Sequence, residues 1–338
     1  MTDDADTTTA EQALEMYLDT RRDEVSETTL SAHGYRLRHF VRWCDENSYV
    51  MDDLDETKLH EFRLWRRDDG DLNTVSLHTQ LSTLRVFLRF CGNIGLVESD
   101  LYDRLVIPTM DPDDDRRKQV LEPDRAENIL QWLNNYEYAS FDHVVMLLLW
   151  ELGCRIGGLH SLDLADYDSE GARIHFRHRP DTGTALKNGS KGERIATLKR
   201  STTVVIDDYI ERNRRDVSDA HGRQPLLTTR DGRPSLSTIR RHVYRCTQPC
   251  QRTGECPHDV DMDDCDARGY KEVPSACPSI LRPHDIRRGS ITHWLREDVP
   301  KKAVSDRMDV EEKSLDKHYD QRSEETRAEQ RREYLDDV

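Results

Sequence analysis

Between residues 77 and 91 apolar side chains recur as Leu77, Leu81, Leu84, Leu88 and Cys91, which lays one apolar face along four turns of an α-helix. A stripe of this kind must be covered by other apolar faces. Candidates lie upstream, in Leu14, Tyr17 and Leu18, then in Leu30, Leu37, Phe40, Val41 and Cys44, then in a shorter stretch around Leu59, Phe62 and Trp65. Four amphipathic helices predict a small helical domain over residues 11–106, behind a polar, disordered start at 1–10.

The pattern then stops. Residues 107–118, IPTMDPDDDRRK, carry two prolines, a run of acids and no periodicity, so a linker is expected there. A second domain over 119–338 opens with Pro123 near a helix start and continues through Ile129, Leu130 and Leu133. The apolar run at 144–153 reads as a buried helix stopping near Gly153. Alternation at 172–179, with Ile174 and Phe176 on one face, predicts a strand, and 193–198 its hairpin partner. Helical spacing returns at 203–213, from about His284 to Glu297, and after Tyr319. The expected class is therefore mainly α with a small antiparallel β-sheet, in two domains; 338 residues are enough to give each its own core.

The formal net charge is −16, which argues superficially against a nucleic-acid partner. Yet ten of the fifty basic residues are Lys, leaving forty Arg, the side chain that grips phosphate with a planar fork. Arg-rich patches inside an acidic shell fit a halophilic protein, hydrated by its carboxylates and relieved of self-repulsion by salt. The alternative is an ordinary acidic enzyme. No run of ~18 apolar residues is available to span a membrane. The start, MTDDADTTTA, has neither the basic flank nor the apolar core of a signal peptide, so cytoplasmic residence is expected.

Four local patterns carry chemistry: ELGCRIGGLHSLDLADYD with Arg155, TALKNGSKGERIATL with Lys187 and Lys191, RPHDIRRGSITHWL with His284 and Arg287, and LDKHYDQRS with Tyr319. Breaking a phosphodiester without a metal requires a nucleophile, neutralisation of the charge developing on the phosphate, and a proton for the leaving oxygen. Tyr can supply the first, Arg the second, and Lys or His the third. Taken singly, each has a structural alternative: Arg155 as a helix C-terminal cation worth ~0.3–1 kcal/mol, Arg287 as a surface ion-pair residue, Tyr319 as a packing aromatic. Their fixed order is what carries information.

In that order the motifs resemble those of the tyrosine recombinases, the family of phage integrases, chromosome-dimer resolvases and archaeal relatives. The helical half, with TLSAHGYRLRHFVRWCDEN and STLRVFLRFCGNIGLVESD, is similar to their SAM-like core-binding DNA-binding domain, and the resemblance spans roughly residues 11–335. It implies a site-specific DNA recombinase that cuts and rejoins DNA through a 3′-phosphotyrosine on Tyr319 and releases a 5′-hydroxyl. Arg155 and Arg287 would clamp the non-bridging oxygens, and His284 would hydrogen-bond the phosphate. A hairpin lysine would protonate the leaving oxygen; Lys187 fits best and Lys191 is its rival. The implied chemistry needs no cofactor. The implied partners are double-stranded DNA and a homo-tetramer on two duplexes, with residues 320–335 exchanged between neighbours. Alternatives are a DNA-binding accessory protein of the same fold that no longer cuts, and a type IB topoisomerase-like enzyme.

Two departures from the family pattern stand out. Gly158 lies where the family usually carries Glu, and Val310 lies, within two residues, where it carries His or Trp in a Leu-Gly-His setting. Arg288, Arg307 and His318 are the candidates to compensate, Arg307 and His318 first. A further feature is a segment rich in Asp, Gly and Pro that holds Cys246, Cys250, Cys256, His258, Cys265 and Cys277. Too polar to order itself by apolar burial, it could be ordered by a structural Cys₃His or Cys₄ zinc site; the alternatives are free thiols in a flexible insertion or a redox role. Cys44, Cys91 and Cys154 sit on apolar faces and read as core residues.

The charge balance makes a direct prediction. If the acidic shell is an adaptation to high salt, resistance to unfolding rises as potassium chloride goes from ~0.1 to 3 M, over which screening becomes complete. A midpoint that does not move with salt refutes the halophilic reading.

Overall fold

The computed structural model describes residues 7–110, 119–268, 273–297, 299–319 and 332. The chain divides into two compact units, 1–118 and 119–338.

In the first unit, helices α1 (Ala10–Arg21), α2 (Glu27–Glu46), α3 (Glu56–Asp69), α4 (Thr74–Asn93) and the single turn α5 (Leu101–Arg104) follow one another. Their starts are set by side chains that take up orphan backbone N–H groups: Thr9 for Gln12, Ser26 for Thr29, Asp55 for Lys58 and Asn73 for Ser76. Residues 7–10, expected to be disordered, are built into the fold instead. Thr9 caps α1, and the Met51 N–H donates to the Thr8 carbonyl. The apolar stripe of α4 packs as its spacing requires: Leu81, Leu84, Phe87 and Leu88 are buried with Tyr17, Phe40 and Phe62 in one core. The rings of Phe40 and Phe62 meet edge to face at 5.1 Å, the arrangement aromatic quadrupoles favour.

The second unit is built around one helix. After α6 (Pro123–Tyr136) comes α7 (Phe141–Leu152), buried on almost every side through Val144, Val145, Met146, Leu148, Leu149 and Leu152. A helix apolar all round belongs inside, and α7 packs against α6 and against α8 (Ile156–Ser161). Gly153, in the left-handed conformation at φ 53°, stops α7 where the sequence places the break. A three-stranded antiparallel sheet follows, β1 (Tyr167–Asp168), β2 (Arg173–Phe176) and β3 (Arg194–Thr197), with Ile174 opposite Ala196 and Phe176 opposite Arg194. Ile174, Phe176 and Ala196 face the core, as a period of two dictates. The short β1 has no apolar alternation and was not legible.

Next come α9 (Arg200–Arg212), α10 (Leu236–Thr247), the turn α11 (Cys250–Thr253), α12 (Pro283–Arg296), α13 (Lys301–Met308) and α14 (Glu312–His318). Helices α9, α10 and α12 also lie on α7. The predicted helix after Tyr319 lies outside the described residues.

Where α12 passes residue 121 the two backbones touch. The Leu121 N–H donates to the Asp285 carbonyl, and a Cβ on Gly289 would stand 2.0 Å from the Leu121 carbonyl oxygen. Backbone cannot swing aside as a side chain can. Gly289→Ala should therefore destabilise this unit by about 3 kcal/mol, the upper range of overpacking costs, read as a shift in urea midpoint at unchanged slope.

Candidate active site

The left-handed turn at Gly153 brings the chain directly to Arg155, which precedes the first turn of α8. From the other side α12 presents His284 and Arg287, its entry fixed by Pro283 and by the Asp285 carboxylate, which accepts from the Arg282 N–H. Arg287 is 1 % exposed. Its Nη1 donates to the carbonyls of Gly153 (2.8 Å) and Met308 (2.6 Å), and its Nη2 to the carbonyl of Asp309 (3.1 Å). The buried Tyr319, following α14, joins it by a side-chain hydrogen bond. Burial and neighbouring Arg155 lower the Arg287 pKa, and the Tyr319 phenol opposes that shift.

Arg155 lies beside them and is 34 % exposed in its side chain. Its Nη1 donates to the Asp309 carboxylate at 2.6 Å and to the Asp309 carbonyl at 2.9 Å. Asn188 of the β2–β3 hairpin donates to the other carboxylate oxygen at 2.7 Å. An open cavity of about 610 Å³ adjoins this point, lined among others by Asn188, Lys191, Arg194, Asp309 and Val310. Lys191 is thus the hairpin lysine that faces the cavity; Lys187 is exposed and is not among its lining residues.

Arg155, His284, Arg287 and Tyr319, scattered over 165 positions of sequence, are therefore brought into one site. Three participants were not singled out from the sequence: Asn188, Asp309 and Arg194. Arg194 lies 3.9 Å over the Phe176 ring and donates to the carbonyls of Arg307 (2.7 Å) and Gly192 (2.9 Å). It also accounts for one departure. A Cβ at Gly158 would touch that same Phe176 ring at 3.3 Å, so a larger residue there would press on the stack that carries Arg194. At the other departure, Val310 is buried with Leu315, Met308, Val304 and Tyr319, so it packs the Tyr319 segment where the resemblance leads one to expect His or Trp.

The expected compensation by Arg307 is not what the fold does with that side chain. Arg307 rests 4.5 Å over the Trp294 ring and donates to the Glu151 carbonyl and the Thr197 hydroxyl, which commits it to α7 and β3. Arg288 is close enough to His284 to lower its pKa. The His318 side chain lies outside the described residues.

The cysteine segment also departs from expectation. Among the described residues no three His, Cys, Asp or Glu side chains are grouped to hold a metal. The six candidates are divided: Cys246 belongs to the apolar face of α10 and joins the core, and His258 pairs with the Ser279 hydroxyl at 2.9 Å. Cys250, Cys265 and Cys256 are near enough to add to the rise that burial gives the Cys277 thiol. What ties the segment down is polar. Arg125 donates to the carbonyls of Thr247 and Ser279, Arg252 to that of Cys246, and buried Gln248 to those of Ala267 and Pro274. These bonds meet the accounting that buried backbone demands. Cys44 and Cys91 are core residues, their thiols pushed up to about 12 chiefly by burial.

His284 has a pH consequence. Although His284 is exposed, desolvation by the surrounding site first, then Arg287 and Arg288, lower its pKa, with Asp285 opposing, and solvent screening keeps the effect on stability small. The fold thus prefers the neutral ring, while the unfolded chain takes up a proton below about pH 6.5. Stability held above that pH is lost as pH falls through the window beneath it. His284→Asn should flatten this part of the stability–pH curve, measured by urea unfolding between about pH 7.5 and 5.5. An unchanged slope would remove His284 as its source.

Comparison with known proteins follows the geometry. Residues 14–92 match the family model described as phage integrase, N-terminal SAM-like domain. No curated protein matches the chain. Among solved structures, the integrase of transposon Tn1549, in complex with a circular intermediate DNA, is 17 % identical, with 96 % of this chain and 100 % of that one covered at a TM-score of 0.67. A lambda integrase dimer bound to a core site is 14 % identical, with 94 % and 79 % covered at 0.63. A lambda integrase tetramer bound to a Holliday junction is 13 % identical, with 91 % and 76 % covered at 0.60. Mostly helical, with its small antiparallel sheet and an integrase-type N-terminal domain, the chain has the fold of the tyrosine recombinases.

Proposed function

We propose that the protein is a site-specific DNA recombinase that cuts and rejoins duplex DNA through Tyr319. The observation that carries this reading is the hydrogen bond between the Tyr319 side chain and buried Arg287, with Arg155 alongside. The hydrogen bond to the guanidinium holds the phenol oxygen beside the arginines that would bind the phosphate it attacks. The bond from phosphorus to the 5′-oxygen breaks as the phosphotyrosine forms, and a lysine returns a proton to the leaving oxygen. Lys191, on the cavity, is better placed for this than Lys187. The new ester conserves the energy of the old one, so religation needs no cofactor. Arg155 and His284, near enough to each other and to Arg287 for their charges to interact, would supply further donors to a phosphate bound there.

The Tn1549 and lambda integrases compared above are bound to DNA, one of them as a tetramer on a Holliday junction. Tetrameric action on two duplexes is proposed here by analogy. In that assembly the strongly polar tail at 320–335 would be exchanged between neighbours. That tail lies outside the described residues. Residence in the cytoplasm is part of the same proposal; no helix among the described residues is long and apolar enough to cross a membrane.

A second reading, a DNA-binding protein that does not cut, draws on the near-complete burial of Arg287 and on Gly158 and Val310. One experiment separates the two. On a nicked suicide duplex the parent protein should form a covalent adduct, and Tyr319→Phe should bind the duplex equally well and form none. An adduct in the Phe variant removes Tyr319 from the mechanism; a parent that binds without adduct favours the non-cutting reading.

A further inference from the structure

The arginine site already contains an anion. Asp309 closes α13 in the left-handed conformation at φ 52°, one that Asp tolerates better than most residues. In that pose its carbonyl accepts from both Arg155 and Arg287, and its carboxylate accepts from Arg155 and from Asn188. Both hydrogens of Arg155 Nη1 are thereby used. The carboxylate is only 16 % exposed. Arg287 is sealed beneath the same turn at 1 % exposure, and its Nε, buried, has no hydrogen-bond partner. The carboxylate, bonded to the Arg155 fork and to an amide donor while its own backbone carbonyl takes up Arg287, has the charge and donor set of a bound phosphate oxygen.

We infer that Asp309 is an internal counter-anion, occupying the phosphate place of the Arg155–Arg287 clamp in the DNA-free protein and setting how tightly DNA phosphate is taken. The inference rests on the DNA-acting reading above. A phosphodiester entering the clamp meets a fixed carboxylate of its own sign in a partly desolvated site, where like charges repel far more than in water. Either the turn at 308–310 withdraws or the phosphate binds weakly. Both routes tie occupancy of the clamp to displacement of one side chain. Salt weakens the repulsion, so the counter-anion is least obstructive where ionic strength is high.

The test uses the full chain and a random-sequence duplex, so no recognition site is needed. Asp309→Asn keeps the shape and removes the charge; Asp309→Gly suits the left-handed backbone and removes the carboxylate altogether. At ~0.1 M potassium chloride both variants should bind the duplex about ten-fold tighter than the parent, an advantage that fades towards ~1 M, where screening reaches ~3 Å. Asp306→Asn, which removes an exposed acid from the rim of the same cavity, should gain less than about two-fold. Cooperative thermal unfolding checks that each variant is folded, and the near-isosteric Asn variant carries the test if Gly is lost. Binding by the folded Asn variant no tighter than by the parent overturns the inference, as does an equal gain from Asp306→Asn. A parent that shows no salt-dependent duplex binding instead overturns the DNA-acting reading itself.

Discussion

One buried cation organises the second unit. Arg287 lies in the interior, where an unpaired charge would be prohibitive. It is tolerated because its two Nη atoms meet the carbonyls of Gly153, Met308 and Asp309, and because Tyr319 adds a further hydrogen bond. All three carbonyls lie at the C-terminal ends of α7 and α13, where helix dipoles present partial negative charge. The guanidinium therefore pins two helix ends and the Tyr319 segment to α12. Losing one partner of a buried charge costs about 3–5 kcal/mol, so the geometry of the site and the stability of the unit are one problem. A lysine here could not replace the fork.

A second set of bonds ties the hairpin to this hub. Arg194 of β3 donates to the Arg307 carbonyl, Arg307 donates to the Glu151 carbonyl at 3.2 Å, and the Glu151 carboxylate accepts from the Lys199 N–H and the Thr202 hydroxyl. The small sheet contributes little core, yet this chain fixes its distance from the arginines. That is how Asn188 and Lys191, on an exposed turn, come to stand at the cavity.

The abundance of arginine has a more mixed meaning than its phosphate affinity implies. Asp163, Asp166 and Asp219 are held by Arg179, Arg223 and Arg233 in a network that is largely out of solvent. Burial pulls the Asp219 carboxyl up, but the Arg233 and backbone hydrogen bonds outweigh it and hold the group down at about 2. Arg125 and Arg252 are spent on loop carbonyls. Many arginines are internal fasteners, so net charge and Arg count together say little about the surface DNA would meet.

The helices, the hairpin and the four dispersed site residues were legible because they follow from local rules. Apolar period sets which face is buried, Gly153 stops a helix, and the ordered residues Arg155, His284, Arg287 and Tyr319 are the types that phosphoryl transfer needs. The zinc expectation gains no support among the described residues: counting cysteines ignores that α10 carries Cys246 into the core and that polar side chains already satisfy the segment's backbone. Asp309 was invisible for another: nothing near RMDVEE marks a carboxylate that must travel to Arg155, 154 positions away. Sequence by itself determined which elements form and which chemistry they can bear, since both depend on residue type and short spacing. Only the tertiary structure decided that the Asp309 side chain meets Arg155 and that backbone carbonyls meet Arg287, because that depends on where two helix ends converge, and no local pattern encodes such a meeting.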